Sequence, residues 1–235
     1  MKAVAPTVRT RLLRGAAATL AVAALAGAAW YGFESIDSQP IRRVVVAGDT
    51  GRIARADLEA FARGVATSGA AGSLAAVREA ARRIPWVREA TVRRIFPDAV
   101  EVQFGTHQAL ARRDDGSLVS VRGEVFSAEY AGDLPRFSGP EGSAASMTKR
   151  YPAIVAAVAP LAATVKELRL SARGAWQAVL DSGLVLELGR GDVEARLARF
   201  VEAWPQLAPE ARATRHADLR YANGFALQRG KQTPK

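Results

Sequence analysis

The sequence predicts an α+β protein: a single N-terminal transmembrane helix carrying an exported region of two mixed parts. Three observations carry this. Gly15 to Phe33 is a run of 19 uncharged residues. Residues 41–106 then alternate apolar patterns in the order βααββ. From residue 107 onward, short strands are punctuated by turn residues and interrupted by two amphipathic helices. The composition, 49% hydrophobic and 24% charged, is that of a globular chain. No cysteine is present, which excludes a disulfide framework, a thiolate zinc site and a cysteine nucleophile.

As a helix, "GAAATLAVAALAGAAWYGF" rises about 28 Å, close to the hydrocarbon thickness of about 30 Å. Lys2, Arg9, Arg11 and Arg14 precede it, and few charges follow directly, so the N-terminus is placed in the cytoplasm. Trp30 and Tyr31 stand where an interfacial aromatic belt belongs. The rival is a cleaved signal peptide, for which Ala26-Gly27-Ala28 would be the site. The uncharged run exceeds a usual signal core and its aromatics lie past the cut, so an uncleaved anchor is expected.

The formal charge of +10 raises a nucleic-acid reading. Outside the N-terminal tail, however, the arginines are interleaved with acids, as in Arg52–Asp57 and Arg190–Arg199, and aromatics do not cluster with them. A solvated mixed face fits better than a nucleic-acid track. An anionic membrane surface or an acidic partner suits the basic excess.

Within 41–106, "IRRVVVAG" is β-branched and ends at Gly48, a first strand. Leu58, Phe61 and Val65 recur at helical spacing, as do Leu74, Val77, Ala81 and Ile84 before Pro85. Two strands follow, Ala90–Ile95 and Val100–Phe104, turning at Phe96-Pro97-Asp98. Beyond His107, "ALARR", "SLVSV" and "VFSA" read as a meander, and Leu134–Ser146 reads as loop. A helix is marked by Tyr151, Ile154, Val155 and Val158. Strands are expected at Val165–Leu170, Trp176–Leu180 and Leu184–Leu188, then a helix through Val193, Leu197, Phe200, Val201 and Trp204. "HADLRYANGFALQ" reads as a single terminal strand, bent or bulged at Asn223-Gly224 because few residues follow. The result is a mostly antiparallel sheet with two helices. Its last strand is available as an edge, and an edge offers unpaired N–H and C=O groups to a partner.

Catalytic chemistry finds no foothold. His107 and His216 lack a second ligand at metal spacing, Asp114-Asp115-Gly116 is a solvated turn, and no nucleophile or phosphate-loop motif occurs. Trp86, Trp176 and Trp204 sit in apolar patterns and are expected in cores.

"RRIPWVREATVRRIFPDAVEV" resembles the second helix and strand pair of a POTRA domain of the kind found in the FtsQ/DivIB family of bacterial cell-division proteins. "ARRDDGSLVSVRGEVF", "LPRFSGPEG", "LRLSARGAWQAVLDSGLVLELGRGDVEARLARFVEAWPQL" and "ADLRYANGF" resemble, in order, segments of that family's second domain. The resemblance implies a cytoplasmic basic tail (1–14), an inner-membrane helix (15–33) and a linker (34–40). It also implies a periplasmic POTRA domain (41–106), a β domain (107–229) and a short tail (230–235). It implies a scaffold at the division septum and no enzyme, with no cofactor, nucleic acid or small-molecule substrate. The implied partners are FtsB and FtsL, reached by strand addition at the C-terminal edge, and further divisome proteins at the POTRA domain. "RYANGF" places that contact at Tyr221, Ala222, Asn223, Gly224 and Phe225, and "SARGAW" makes Arg173 the arginine that pairs with a partner acid.

Two other classes carry different sequence marks. A POTRA-type periplasmic chaperone or secretion component would bring repeated POTRA domains or a membrane barrel. A periplasmic enzyme would bring a convergent acid/base pair. A proline at Asn223 is expected to abolish FtsB capture in a pull-down while the exported region stays folded.

Overall fold

The computed structural model describes residues 22–27, 41–67 and 73–228. Residues 22–27 are helical and exposed, and the rest of the expected membrane span, with the two tails and the linker, lies outside the described residues. Among the described residues no helix is long and apolar enough to cross a membrane. The chain divides into two compact units, Met1–Thr106 and His107–Lys235.

The first unit runs β1 (Arg43–Gly48), α1 (Arg55–Thr67), α2 (Leu74–Arg82), β2 (Val87–Ile95) and β3 (Ala99–Thr106). Its sheet order is β1-β3-β2, with β1 parallel to β3 and β2 antiparallel to it. A parallel pair needs a long crossover, and the two helices supply it. Ser73 opens α2 by accepting the Ala76 N–H at 3.3 Å, and the chain leaves the helix before Pro85. In β3, Val100, Val102 and Phe104 are buried while Glu101 and Gln103 face outward. Phe61 of α1 meets Phe104 edge-on at 5.8 Å. Trp86 is buried with φ of 73°, a conformation costly for a side-chain-bearing residue, and the Arg52 guanidinium lies 5.3 Å from its ring.

The second unit contains β4 (Ala109–Arg113), β5 (Leu118–Ser120), β6 (Val125–Phe126), β7 (Arg136–Ser138) and α3 (Ala144–Val158). It continues with β8 (Val165–Leu170), β9 (Trp176–Leu180), β10 (Val185–Gly189), α4 (Val193–Ala203), α5 (Pro209–Arg212), β11 (His216–Asp218) and β12 (Ala226–Gln228). All its described strands join one sheet, in the order β12-β11-β10-β9-β8-β7-β4-β5-β6. Pairing is antiparallel except at β4–β7, β7–β8 and β10–β11. The core joins Ile154 and Val158 of α3 and Leu197 and Phe200 of α4 with Leu168, Ala178, Leu186 and Leu188 of the sheet. Each such fully buried Ile, Val, Leu or Phe side chain contributes roughly 1.5–3 kcal/mol.

Three expectations need correcting. The stretch read as loop over 134–146 holds β7, an interior strand of the sheet between β8 and β4, and the first turn of α3. Three residues between Pro135 and Gly139 are too few to display an alternating pattern, and Phe137 alone of them is buried. A third, four-residue helix, α5, accompanies the two expected. The terminal segment is a hairpin, because Ala226–Gln228 returns antiparallel on His216–Asp218. The return strand is only three residues long, but a strand added to an existing sheet needs no independent stability.

Phe200→Ala empties the point where α4 meets the sheet. Urea unfolding should report a loss of about 3–5 kcal/mol.

Candidate partner-binding edge

The edge is built at one end of the second sheet. β10 runs into this end and stops at Gly189, β11 runs parallel to it and stops at Asp218, and β12 starts back from it. Residues 219–225, which include Tyr221, Ala222, Asn223, Gly224 and Phe225, therefore form the connecting loop and are not part of the strand ladder.

Several contacts hold that loop. Leu219 is buried and donates its N–H to the Glu187 carbonyl at 2.9 Å. Arg220 grips the buried Asp218 through Nε to Oδ1 at 2.9 Å and Nη2 to Oδ2 at 2.7 Å, and its backbone N–H donates to Oδ1 at 3.0 Å. From α4, Arg199 donates to the carbonyls of Ala222 and Tyr221. At the loop's far end Phe225 packs edge-on against Phe200, centroids 5.1 Å apart, while Trp204 lies on the same ring at 5.1 Å. The backbone and Phe225 are thereby pinned. The Tyr221 side chain stays 58% exposed, and Ala222, Asn223 and Gly224 are exposed beside it.

Arg173 occupies the β8–β9 turn, closed by the Gly174 N–H donating to the Ser171 carbonyl at 2.9 Å, and it is exposed. β9 starts at the same sheet end where β10 stops, since Trp176 pairs with Gly189. The structure thus brings Arg173 and the Tyr221 loop to one end, about three strand spacings or ~14 Å apart. Between them, Arg196 donates to the carbonyls of Leu188, at 2.7 Å, and Arg190, at 3.0 Å. Gly189 has φ of +72°, and a Cβ there would stand 2.9 Å from Arg196 Nη1 and 3.0 Å from Arg220 Cγ. Glycine lets both arginines close over the strand end.

Sequence reasoning missed Arg196, Arg199, Asp218 and Arg220. The Asp-x-Arg spacing at a strand end was the available signal, since residues two apart share a strand face. The arginines of α4 had none, because their targets are backbone carbonyls far along the chain.

β12 is the outermost strand. Gln228's carbonyl accepts from the Thr214 hydroxyl at 2.6 Å, so it points inward. By strand alternation the N–H and C=O of Leu227 point to the open side. The Leu227 side chain packs on the core. On the sheet surface nearby, His216 Nε2 lies 3.3 Å from Glu187 Oε1, which also accepts from Gln177 at 2.5 Å, and Arg169 donates to Gln177 at 2.8 Å.

Among the described residues no group of three or more His, Asp or Glu could hold a metal ion. A cavity of about 620 Å³ between α1 and α2 is walled by Phe61, Val65, Val77 and Ile84, with Asp57 and Arg83 also on its lining.

The Arg220 guanidinium holds the Asp218 carboxyl below its ordinary value, and the carboxylate in turn raises the guanidinium. A carboxyl depressed by folding adds stability above its unfolded value of about 3.9, and that stability is lost as pH falls through the lowered folded value. Asp218→Asn should cost about 1 kcal/mol at neutral pH. It should also flatten the decline of the urea midpoint below about pH 4.

Comparison with known proteins agrees with this architecture. Residues 39–104 match the family model of the FtsQ-type POTRA domain, and residues 109–220 match that of the C-terminal region of cell division protein FtsQ/DivIB. The second match stops at Arg220, within the connecting loop and just before Tyr221. The cell division protein FtsQ of Xanthomonas campestris is 34% identical over 223 residues, covering 93% of this chain and 80% of its own. Those of Bordetella pertussis and Escherichia coli are 40% and 35% identical over 172 and 154 residues. These two matches span 63% and 56% of the relatives' lengths and 64% and 62% of this chain. With both family models in order and a near full-length relative, the chain belongs to the FtsQ family of cell division proteins.

Proposed function

We propose that the chain is a non-enzymatic scaffold of the division machinery at the septum. In this reading it crosses the inner membrane once through residues 15–33, with its N-terminus cytoplasmic. Residues 41–106 act as the periplasmic POTRA domain, where other divisome proteins bind, and 107–229 as the β domain. The scaffold binds FtsB and FtsL and links early cytoplasmic division proteins to late septal wall synthesis.

The open outer side of β12 carries this reading. FtsB adds a strand there, anchored by backbone hydrogen bonds to Leu227 and its neighbours. Tyr221 offers an apolar ring with a polar tip beside the new strand, the usual make-up of an anchor. Arg173, at the same sheet end, takes a carboxylate of the partner, and its guanidinium suits a bidentate pair. The ladder position is Leu227, since Asn223 lies in the loop and not in β12.

A photo-crosslinking residue at Tyr221 should trap FtsB in dividing cells, and recovery of the free chain alone would end the assignment. Leu227→Pro removes an outward N–H, so FtsB capture should fall roughly tenfold or more below that of Leu227→Ala, which loses the same side-chain packing and keeps the N–H. Undiminished capture would mean that β12 is not the docking strand. Tyr221→Ala, which disturbs no core, should weaken capture without altering stability.

A further inference from the structure

A second surface, on the first unit, is left without a role by the scaffold reading. The β2–β3 turn carries Phe96, 70% exposed, beside Ile95 at 38%. Such an aromatic tip costs solvation unless something covers it. The register shows what surrounds it. Ala99 pairs with Ile95 on one side and Arg43 on the other, so Arg43, Ala99 and Ile95 form one row across the outer sheet face. In the next row stand Val45, itself exposed, with Glu101 and Arg93. The backbone N–H groups of Arg42 and Arg43 donate to the Asp98 carbonyl at 2.8 and 3.3 Å, tying the start of β1 to this turn.

Arg43 and Arg93 stand on this outer face, and by strand alternation Arg42 and Arg94 stand on the opposite one, so arginines flank the tip on both sides against Asp98 and Glu101. Arg93 is engaged by Glu101, while the exposed Arg43 stands 3.7 Å from Asp98, a loose pair. The balance is cationic. The start of β1 is also the point where the chain arrives from the apolar segment: only residues 34–40 separate Phe33 from Ile41. Fully extended, those seven residues reach at most about 25 Å. An exposed Phe and Ile rimmed by arginines, tethered within that distance of a bilayer, has the make-up of an interfacial anchor.

We propose that the β2–β3 turn of the first unit, through Ile95 and Phe96 with Arg42 and Arg43, docks on the anionic headgroup surface of the membrane that the chain spans. The docking rests on the single-span reading of residues 15–33. Phe96 enters the headgroup layer, and the two arginines meet lipid phosphates. The first unit is thereby held at a set tilt to the membrane.

The chain lacks cysteine, so single cysteines report cleanly. Spin labels at Phe96→Cys, Gln103→Cys and Ala24→Cys are placed in the full chain, reconstituted in nanodiscs containing phosphatidylglycerol. Accessibility to oxygen and to a water-soluble nickel chelate is then measured. The label at Phe96→Cys should favour oxygen and that at Gln103→Cys should favour nickel. Adding Arg42→Glu and Arg43→Glu, or using phosphatidylcholine alone, should shift position 96 toward nickel. If position 96 is as open to nickel as position 103 while position 24 is shielded, the docking is wrong. Shielding of position 96 from both probes would place the patch against this chain itself or a second copy and overturn the lipid assignment. Nickel access at position 24 would mean that the span reading itself has failed.

Discussion

An open β-sheet cannot satisfy its own two edges, and the second unit of this protein is organised around that fact. Its described strands join one hydrogen-bonded ladder that runs from β12 to β6 without closing. Every interior strand is paired on both sides, so the backbone groups left over are concentrated at the ends. The β6 edge is two residues long, with its ring stacked on His107. The β12 edge is the more elaborately supported of the two.

That support is rigid. Phe200, fully buried in α4, carries Trp204 and Phe225 on its ring, and the neighbouring Arg199 holds two loop carbonyls. Arg220 is locked on Asp218, and Gly189 lets it approach. One helix thus packs the core with one face and fixes the loop with the next. A preordered edge loses less conformational entropy on accepting a strand. In the proposed scaffold, that is a physical reason for several arginines to hold backbone carbonyls and a neighbouring carboxylate.

Elements with a full period of apolar residues were legible in the sequence. β4, β8 and β9 match their expected limits, and the crossover order of the first unit follows from two helical stripes between β-branched runs. Trp86 and Trp176 are buried as their patterns imply. Elements too short to show a period were not legible: β7, with Phe137 as its single buried residue, and β12, three residues beyond an Asn-Gly loop. Both exist because a neighbouring strand was already in place to pair with them.

By itself, the sequence determined the α+β class, the two-part organisation, the family resemblance and the chain segment at which a partner would be sought. These follow from local periodicity and from motifs that are contiguous in the chain. Only the tertiary structure decided that Tyr221 to Phe225 are a loop, that the backbone N–H and C=O of Leu227 face the open side, and that Arg173 shares a sheet end with them. Strand order and register are set by pairing between distant residues, and no local pattern encodes which distant strand will be the neighbour.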